Sequence, residues 1–191
     1  MKFEQILKEY LDTVVRACRD IPGHTLREIY KALLQADSAG GRIYICGNGG
    51  SAATAAHFHT DLNNAFSTVR RTMPALCLSD NIPTLTALSN DHAYDEVFLL
   101  QLQYVLREED ILFAISCSGN STNILKAAEY ARTRGCKVIS AVGFDGGKLK
   151  GLSDLVYHAT VDNMQAAEDL HLMVCHLLAT MVRANEGKPN D

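Results

Sequence analysis

Five short runs at 42–47, 75–78, 111–116, 137–142 and 155–158 constrain this chain most. Each is largely apolar without a break, rather than apolar at every second residue, so a strand made from it is buried on both faces. Segments with helical periodicity separate the runs, at about 51–63, 82–90, 94–106, 121–134 and 164–184. Strands that alternate with helices in this way build a parallel sheet with helices on both sides. Right-handed crossovers then give a three-layer, doubly wound α/β fold with five parallel strands.

Two further helices precede the first strand. Phe3, Ile6, Leu7, Tyr10, Leu11, Val14, Val15 and Cys18 recur at helical spacing, and Ile21-Pro22-Gly23 ends the run. The second helix, over 25–36, carries Leu26, Ile29, Tyr30, Leu33 and Leu34 on one face. The apolar face of the first helix is wider than one sheet edge hides, which predicts packing against other copies of the chain. The 191 residues are read as a single domain, with 1–40 used in oligomer packing, 41–185 as the α/β core, and a polar, frayed tail.

Charge and cysteine usage narrow the function classes. Eighteen basic residues against 22 acidic ones give a net charge of -4, and the densest basic pair is Arg70-Arg71. A nucleic-acid binder shows a basic excess or stripe, so no nucleic-acid partner is expected. No apolar run reaches the ~20 residues that span a bilayer, and the amino terminus lacks a signal-peptide core. Cys18, Cys46, Cys77, Cys117, Cys136 and Cys175 are widely separated and form no C-x-x-C pair. A reduced, cytoplasmic protein without membrane contact is the expectation.

In such a sheet, ligands bind beyond the carboxyl ends of the strands. One informative end is Cys46-Gly47-Asn48-Gly49-Gly50-Ser51, where a strand runs through glycines into a helix. Glycine lets backbone approach a ligand, and the helix amino end attracts an anion. It is neither a Walker P-loop nor a Rossmann fingerprint, so no nucleotide cofactor is expected. The other end is Ser116-Cys117-Ser118-Gly119-Asn120-Ser121, whose hydroxyls precede another helix. Serine hydroxyls and unpaired amides suit a phosphate monoester. Either segment alone is more readily read as an ordinary turn with a serine cap, but two such ends in one sheet point to a phosphorylated ligand.

The pair of motifs, residues 46–58 and 116–121, resembles the sugar isomerase (SIS) domain and, more narrowly, the phosphoheptose isomerases. The likeness extends to Ala87-Leu88-Ser89-Asn90-Asp91 and to Glu168, His171 and His176 in the last helix. It implies a flavodoxin-like sheet, conversion of sedoheptulose 7-phosphate into D-glycero-D-manno-heptose 7-phosphate, a homotetramer with sites between subunits, and often a zinc ion. By the same resemblance Ser51, Ser116, Ser118 and Ser121 hold phosphate, with Gly49, Gly50 and Cys117 in the same turns. Cys117 stands where a threonine is frequent. Asn48 and Asp91 line the sugar site. His57, Asp61, Glu168 and His176 match the metal-binding positions, with His176 and Asp61 as acid-base residues. Asp61 replaces a glutamate, Glu168 replaces a glutamine, and Gln165 falls at a position often acidic or small.

Elementary chemistry asks for the same kinds of group. Aldose-ketose isomerisation moves a proton between adjacent carbons through an enediol, and needs a base, an acid and stabilisation of the enediolate. His57 and Asp61 lie at i and i+4 on one helix face. Glu168 and His176 are eight residues apart, about 80° around an ideal helix, and meet only at the edge of a shared face. One His-carboxylate pair from each helix makes a four-ligand zinc site, one per active site. Three classes compete: a phosphosugar isomerase feeding heptose synthesis for surface polysaccharide, a non-catalytic SIS scaffold resembling replication-initiator-binding homologues, and a sugar-phosphate sensor. A sensor of this kind usually adds a DNA-binding segment, for which 191 residues leave no room. The convergent histidines and carboxylates favour chemistry.

Overall fold

The computed structural model describes residues 2–68 and 74–184, so the Arg70-Arg71 pair and the polar tail lie outside the described residues. Two helices come first, α1 (Lys2–Arg19) and α2 (Gly23–Ser38). Then follow β1 (Ile43–Gly47), α3 (Gly50–Thr68), β2 (Ala75–Cys77), α4 (Ile82–Asp91), a 3-10 turn (Tyr94–Glu96) and α5 (Val97–Leu102). The chain continues through β3 (Ile111–Ser116), α6 (Thr122–Thr133), β4 (Lys137–Val142), α7 (Gly147–Leu152), β5 (Leu155–His158) and α8 (Met164–Ala184).

All strand pairs are parallel, in the order β2-β1-β3-β4-β5. This is the flavodoxin-like order, and its switch point falls between β1 and β3. The unbroken apolar character of the strands has a direct cause. Ile43, Ile45, Ile111, Phe113 and Ile115 face a core shared with α2, α3 and α8, while Tyr44, Cys46, Leu112 and Ala114 face a second core under α5 and α6. Alternate residues of these strands therefore enter different cores, which accounts for their nearly unbroken apolar character.

Three elements differ from the sequence expectation. Helix α3 continues past 63 because Asn63, which reads as a stop, turns its amide to Ala75, donating to its carbonyl at 3.0 Å and accepting its N–H at 2.7 Å. The expected helix over 94–106 is broken. It begins as the 3-10 turn, and beyond α5 the carbonyl of Gln103 accepts the Tyr130 hydroxyl at 3.3 Å instead of continuing the ladder. Helix α7 is short and glycine-rich, with Leu149 as its one buried residue, and gives little periodicity to read.

Helix α1 divides its apolar face. Tyr10, Val14, Ala17 and Cys18 pack on the core beside α8, and the Tyr10 hydroxyl donates to Asp169. Phe3, Ile6, Leu7, Leu11 and Val15 remain exposed.

Candidate active site

The register pairs Gly47 with Ile115, so the glycine turn after β1 and the serine turn after β3 stand side by side at the switch point. Ser79 pins the end of β1: its hydroxyl donates to the Gly47 carbonyl at 2.8 Å and accepts the Gly47 N–H at 3.2 Å. Helices α3 and α6 start here, from opposite faces of the sheet, and both direct their positive ends at one crevice. Ser51 is buried in the first turn of α3, with Oγ 4.0 Å from Cys117 Sγ. Ser116 Oγ lies 3.5 Å from Ser121 Oγ. Ser121 is the N-cap of α6 but makes no side-chain capping bond, and Ser118 is exposed. Four serine hydroxyls thus surround the helix ends, of which Ser118 Oγ accepts the Asn120 N–H at 3.2 Å.

Close approach governs the glycine turn. A Cβ on Gly50 would lie 2.3 Å from both carboxylate oxygens of Glu168, so the Glu168 side chain rests directly on the start of α3. Gly49 has φ +55°, a conformation that suits glycine. Beneath the turn, Cys117 Sγ is 3.9 Å from Nδ1 of the fully buried His171. Burial raises the Cys117 thiol above its ordinary range and lowers His171 to about 4, so both are neutral.

About two turns along α3 stands a second cluster. His57 Nε2 and His176 Nε2 are 2.9 Å apart, and Asp61 Oδ2 lies 3.4 Å from the first and 3.8 Å from the second. Arg183 reaches the other oxygen of Asp61 at 3.7 Å, which leaves Oδ2 turned to the histidines. Two imidazole nitrogens this close require a shared proton or a cation. Tetrahedral zinc with bonds of ~2.0–2.1 Å holds its ligand atoms about 3.3 Å apart, and the three observed separations bracket that value. The donor set fits such an ion with one position open.

Of the four expected ligands, the structure brings together three. Glu168 lies about 12 Å from His176 along α8 and sits against the glycine turn of its own chain, because eight residues of helix carry it past the shared face. Asp91 is exposed at the end of α4, where Oδ1 accepts the Asn90 amide at 2.9 Å. Asn48 faces the crevice from the end of β1, in an amide pair with Asn123 and with the Tyr94 hydroxyl. Sequence reasoning missed Arg183, although its spacing of seven from His176 puts it on the same helix face. It also missed Tyr94 and Asn123, for which only the topology supplies a signal.

Comparison with known proteins agrees with this geometry. The family model described as SIS domain matches residues 9–143. A phosphoheptose isomerase of Helicobacter pylori (strain ATCC 700392 / 26695) is 35% identical over 187 residues, 97% of each chain. The chain belongs to the phosphoheptose isomerase branch of the SIS domain family. A relative from Aliarcobacter butzleri, also a phosphoheptose isomerase, is 34% identical over 180 residues, 93% of this chain and 95% of the other. The solved phosphoheptose isomerase of Neisseria gonorrhoeae superposes with a TM-score of 0.87 at 28% identity, covering 96% of this chain and all of that one. In this SIS domain, the two strand ends that carry the resemblance are the two that meet at the switch point.

Proposed function

We propose that this protein isomerises sedoheptulose 7-phosphate to D-glycero-D-manno-heptose 7-phosphate through an enediol, as part of heptose synthesis. One observation carries the reading: a serine-lined crevice at the amino ends of α3 and α6 and a His57–Asp61–His176 cluster on α3 and α8 share helix α3 at matched spacing. Ser51 and His57 are about 9 Å apart along α3. An extended seven-carbon chain with bonds of ~1.5 Å spans roughly 8 Å, so a phosphate held at Ser51 puts the far end of a heptose at the cluster.

In this mechanism Ser51, Ser116, Ser118 and Ser121, with the first amides of α3 and α6, bind the phosphate and orient the sugar. Asp61 takes the proton from C1 while His176 gives one to the C2 carbonyl oxygen, forming the enediol. Asp61 then returns its proton to C2 while His176 takes back the proton of the C1 hydroxyl, so the proton moves between adjacent carbons. Arg183 holds Asp61 in place. Glu168 borders the phosphate turn and orders it. Where a zinc ion is held by His57, Asp61 and His176, it supplies Lewis-acid polarisation of the sugar oxygens.

The exposed half of α1 supports a homotetramer, in which α8 and its histidines are covered by neighbouring subunits. Six free cysteines, five of them buried, fit a reducing cytoplasm, and among the described residues no helix is long and apolar enough to cross a membrane.

The test is turnover of a panel of ketose 7- and 6-phosphates, followed by NMR of the products. Sedoheptulose 7-phosphate should be the preferred substrate. His176→Ala should lose at least two orders of magnitude in kcat with an intact fold, consistent with acid-base catalysis worth about 100-fold or more. Chelation should lower activity and zinc restore it. Unimpaired turnover by His176→Ala would sink the assignment.

A further inference from the structure

Glu168 brings a negative charge to the crevice in which a phosphate is expected. Both of its carboxylate oxygens would lie 2.3 Å from a Cβ on Gly50, so the group rests against the first residue of α3. Backbone donors at that helix end are short of partners. Ala52 N–H donates to the Asn48 carbonyl at 3.3 Å and Ala53 N–H to the Gly49 carbonyl at 3.2 Å, which leaves the Gly50 and Ser51 amides at the open end. The charge also reaches the serine turn, since burial first and Glu168 next raise the Cys117 thiol. No cation balances it there. Residues 47–51 and 116–121 include no lysine or arginine, and among the described residues Glu168 forms no ion pair. Its neighbour Asp169 is tied to the Tyr10 hydroxyl, so Glu168 is the half-buried acid of this turn of α8 that can move. What attracts it to the crevice is the positive end of α3.

We infer that Glu168 is an internal anion that competes with the ligand's phosphate for the amino end of α3, and that it swings away when the phosphate seats. The inference rests on the phosphate-binding reading above. A carboxylate and a phosphate dianion about 5 Å apart repel by several kcal/mol even at an effective dielectric of ~20, so the helix end does not hold both. A phosphosugar reaches the His57–Asp61–His176 cluster at its far end, and those remote contacts supply the free energy that displaces the carboxylate. Inorganic phosphate makes no such contacts. Glu168 therefore keeps free phosphate from occupying the crevice, while a phosphate attached to a sugar still enters.

The experiment is calorimetric titration of the full chain with two ligands, inorganic phosphate and a heptitol 7-phosphate, which lacks the carbonyl and does not isomerise. Glu168→Gln keeps the size of the side chain and removes its charge. It should bind both ligands more tightly than the wild type, by about tenfold or more and by the same factor, because the same charge is displaced in each case. A gain in affinity is not what a disturbed turn produces, so it separates competition from a structural role. Glu168→Asp draws the carboxylate back by a methylene and should shift affinity in the same direction by a smaller factor, which provides a second variant if the first folds poorly. Ser121→Ala should weaken phosphate binding with either residue at 168, which locates the ligand in the turn. Phosphate affinity that is unchanged or weaker in both Glu168 variants, while Ser121→Ala still weakens it, would overturn the inference and leave the phosphate turn standing. Tightening confined to the heptitol phosphate would also overturn it, by placing Glu168 at the sugar. Binding that Ser121→Ala does not alter, or no binding of either ligand, would overturn the phosphate reading and the inference with it.

Discussion

Ser118 and Ser121 carry hydroxyls that the fold does not need. Neither makes a bond that holds a helix or strand together, apart from the Asn120 N–H that Ser118 Oγ accepts at 3.2 Å. Alanine at either position should therefore leave the thermal midpoint nearly unchanged and weaken substrate binding by about 1.5–3 kcal/mol, the value of a charge-assisted hydrogen bond. Calorimetric titration with the ketose phosphate checks this, and unchanged affinity would remove the serine from the phosphate site. His171 behaves in the opposite way, as a residue the fold needs and solvent does not reach. It contacts Cys117 and the Tyr157 ring, with His158 nearby, and its Nε2 has no partner among the described residues. Burial holds its pKa at about 4, whereas the unfolded chain takes up that proton near pH 6.5. Between those values the unfolded state binds more protons, so stability from this group is complete above pH 6.5 and is lost as pH falls toward 4, by roughly 3 kcal/mol. Urea unfolding at pH 7 and pH 4.5 should show that slope in the wild type and a shallower one in His171→Gln. Equal slopes would mean that His171 is protonated in the folded protein.

At the scale of elements, the contact between α3 and α8 decides how the site is assembled. Gly50 at the start of α3 and Glu168 in the first turns of α8 meet so closely that a methyl group on the glycine must displace the carboxylate. The far end of a glutamate moves readily, so Gly50→Ala should fold normally while losing turnover. If the loss runs through Glu168, then Glu168→Ala and the double variant should lose about as much as Gly50→Ala, a non-additive cycle. Additive losses would assign the glycine effect to the glycine turn by itself. The same helix pair explains what the sequence makes legible. The strands can be read because each enters two cores, and the two strand ends at the switch point because each is a local string of small residues. The 3-10 turn at Tyr94–Glu96 and the end of α5 cannot be, since the Tyr130 hydroxyl that takes the Gln103 carbonyl comes from a distant helix. His57 and Asp61 are visible as an i, i+4 pair, but only the packing of α3 on α8 brings in His176 and leaves Glu168 at the other end.

For the whole molecule, the open question is what covers α1 and the half-exposed histidines. Phe3 is 72% exposed, Leu11 51% and Val15 50%, while Tyr10, Val14 and Cys18 on the same helix pack against the body of the chain. A contiguous apolar stripe of this kind marks an interaction surface. Burying five such side chains contributes about 1.5–3 kcal/mol each before the cost of association, enough to drive a symmetric assembly. The His57 and His176 side chains are 53% and 48% exposed, and proton transfer through an enediol requires that water be kept from the intermediate. Helix α1 packs on α8, so subunits that bury the outer stripe of α1 also bring a neighbour toward the histidines. Sedimentation at micromolar concentration should report a tetramer. Leu7→Glu with Leu11→Glu places charge in the exposed stripe and spares Val14, whose substitution would disturb the core instead. The double variant should retain its far-UV circular dichroism, sediment as a smaller species and lose activity in parallel with dissociation. A well-folded monomer that turns over at the wild-type rate would refute both the assembly and a site completed by neighbouring subunits.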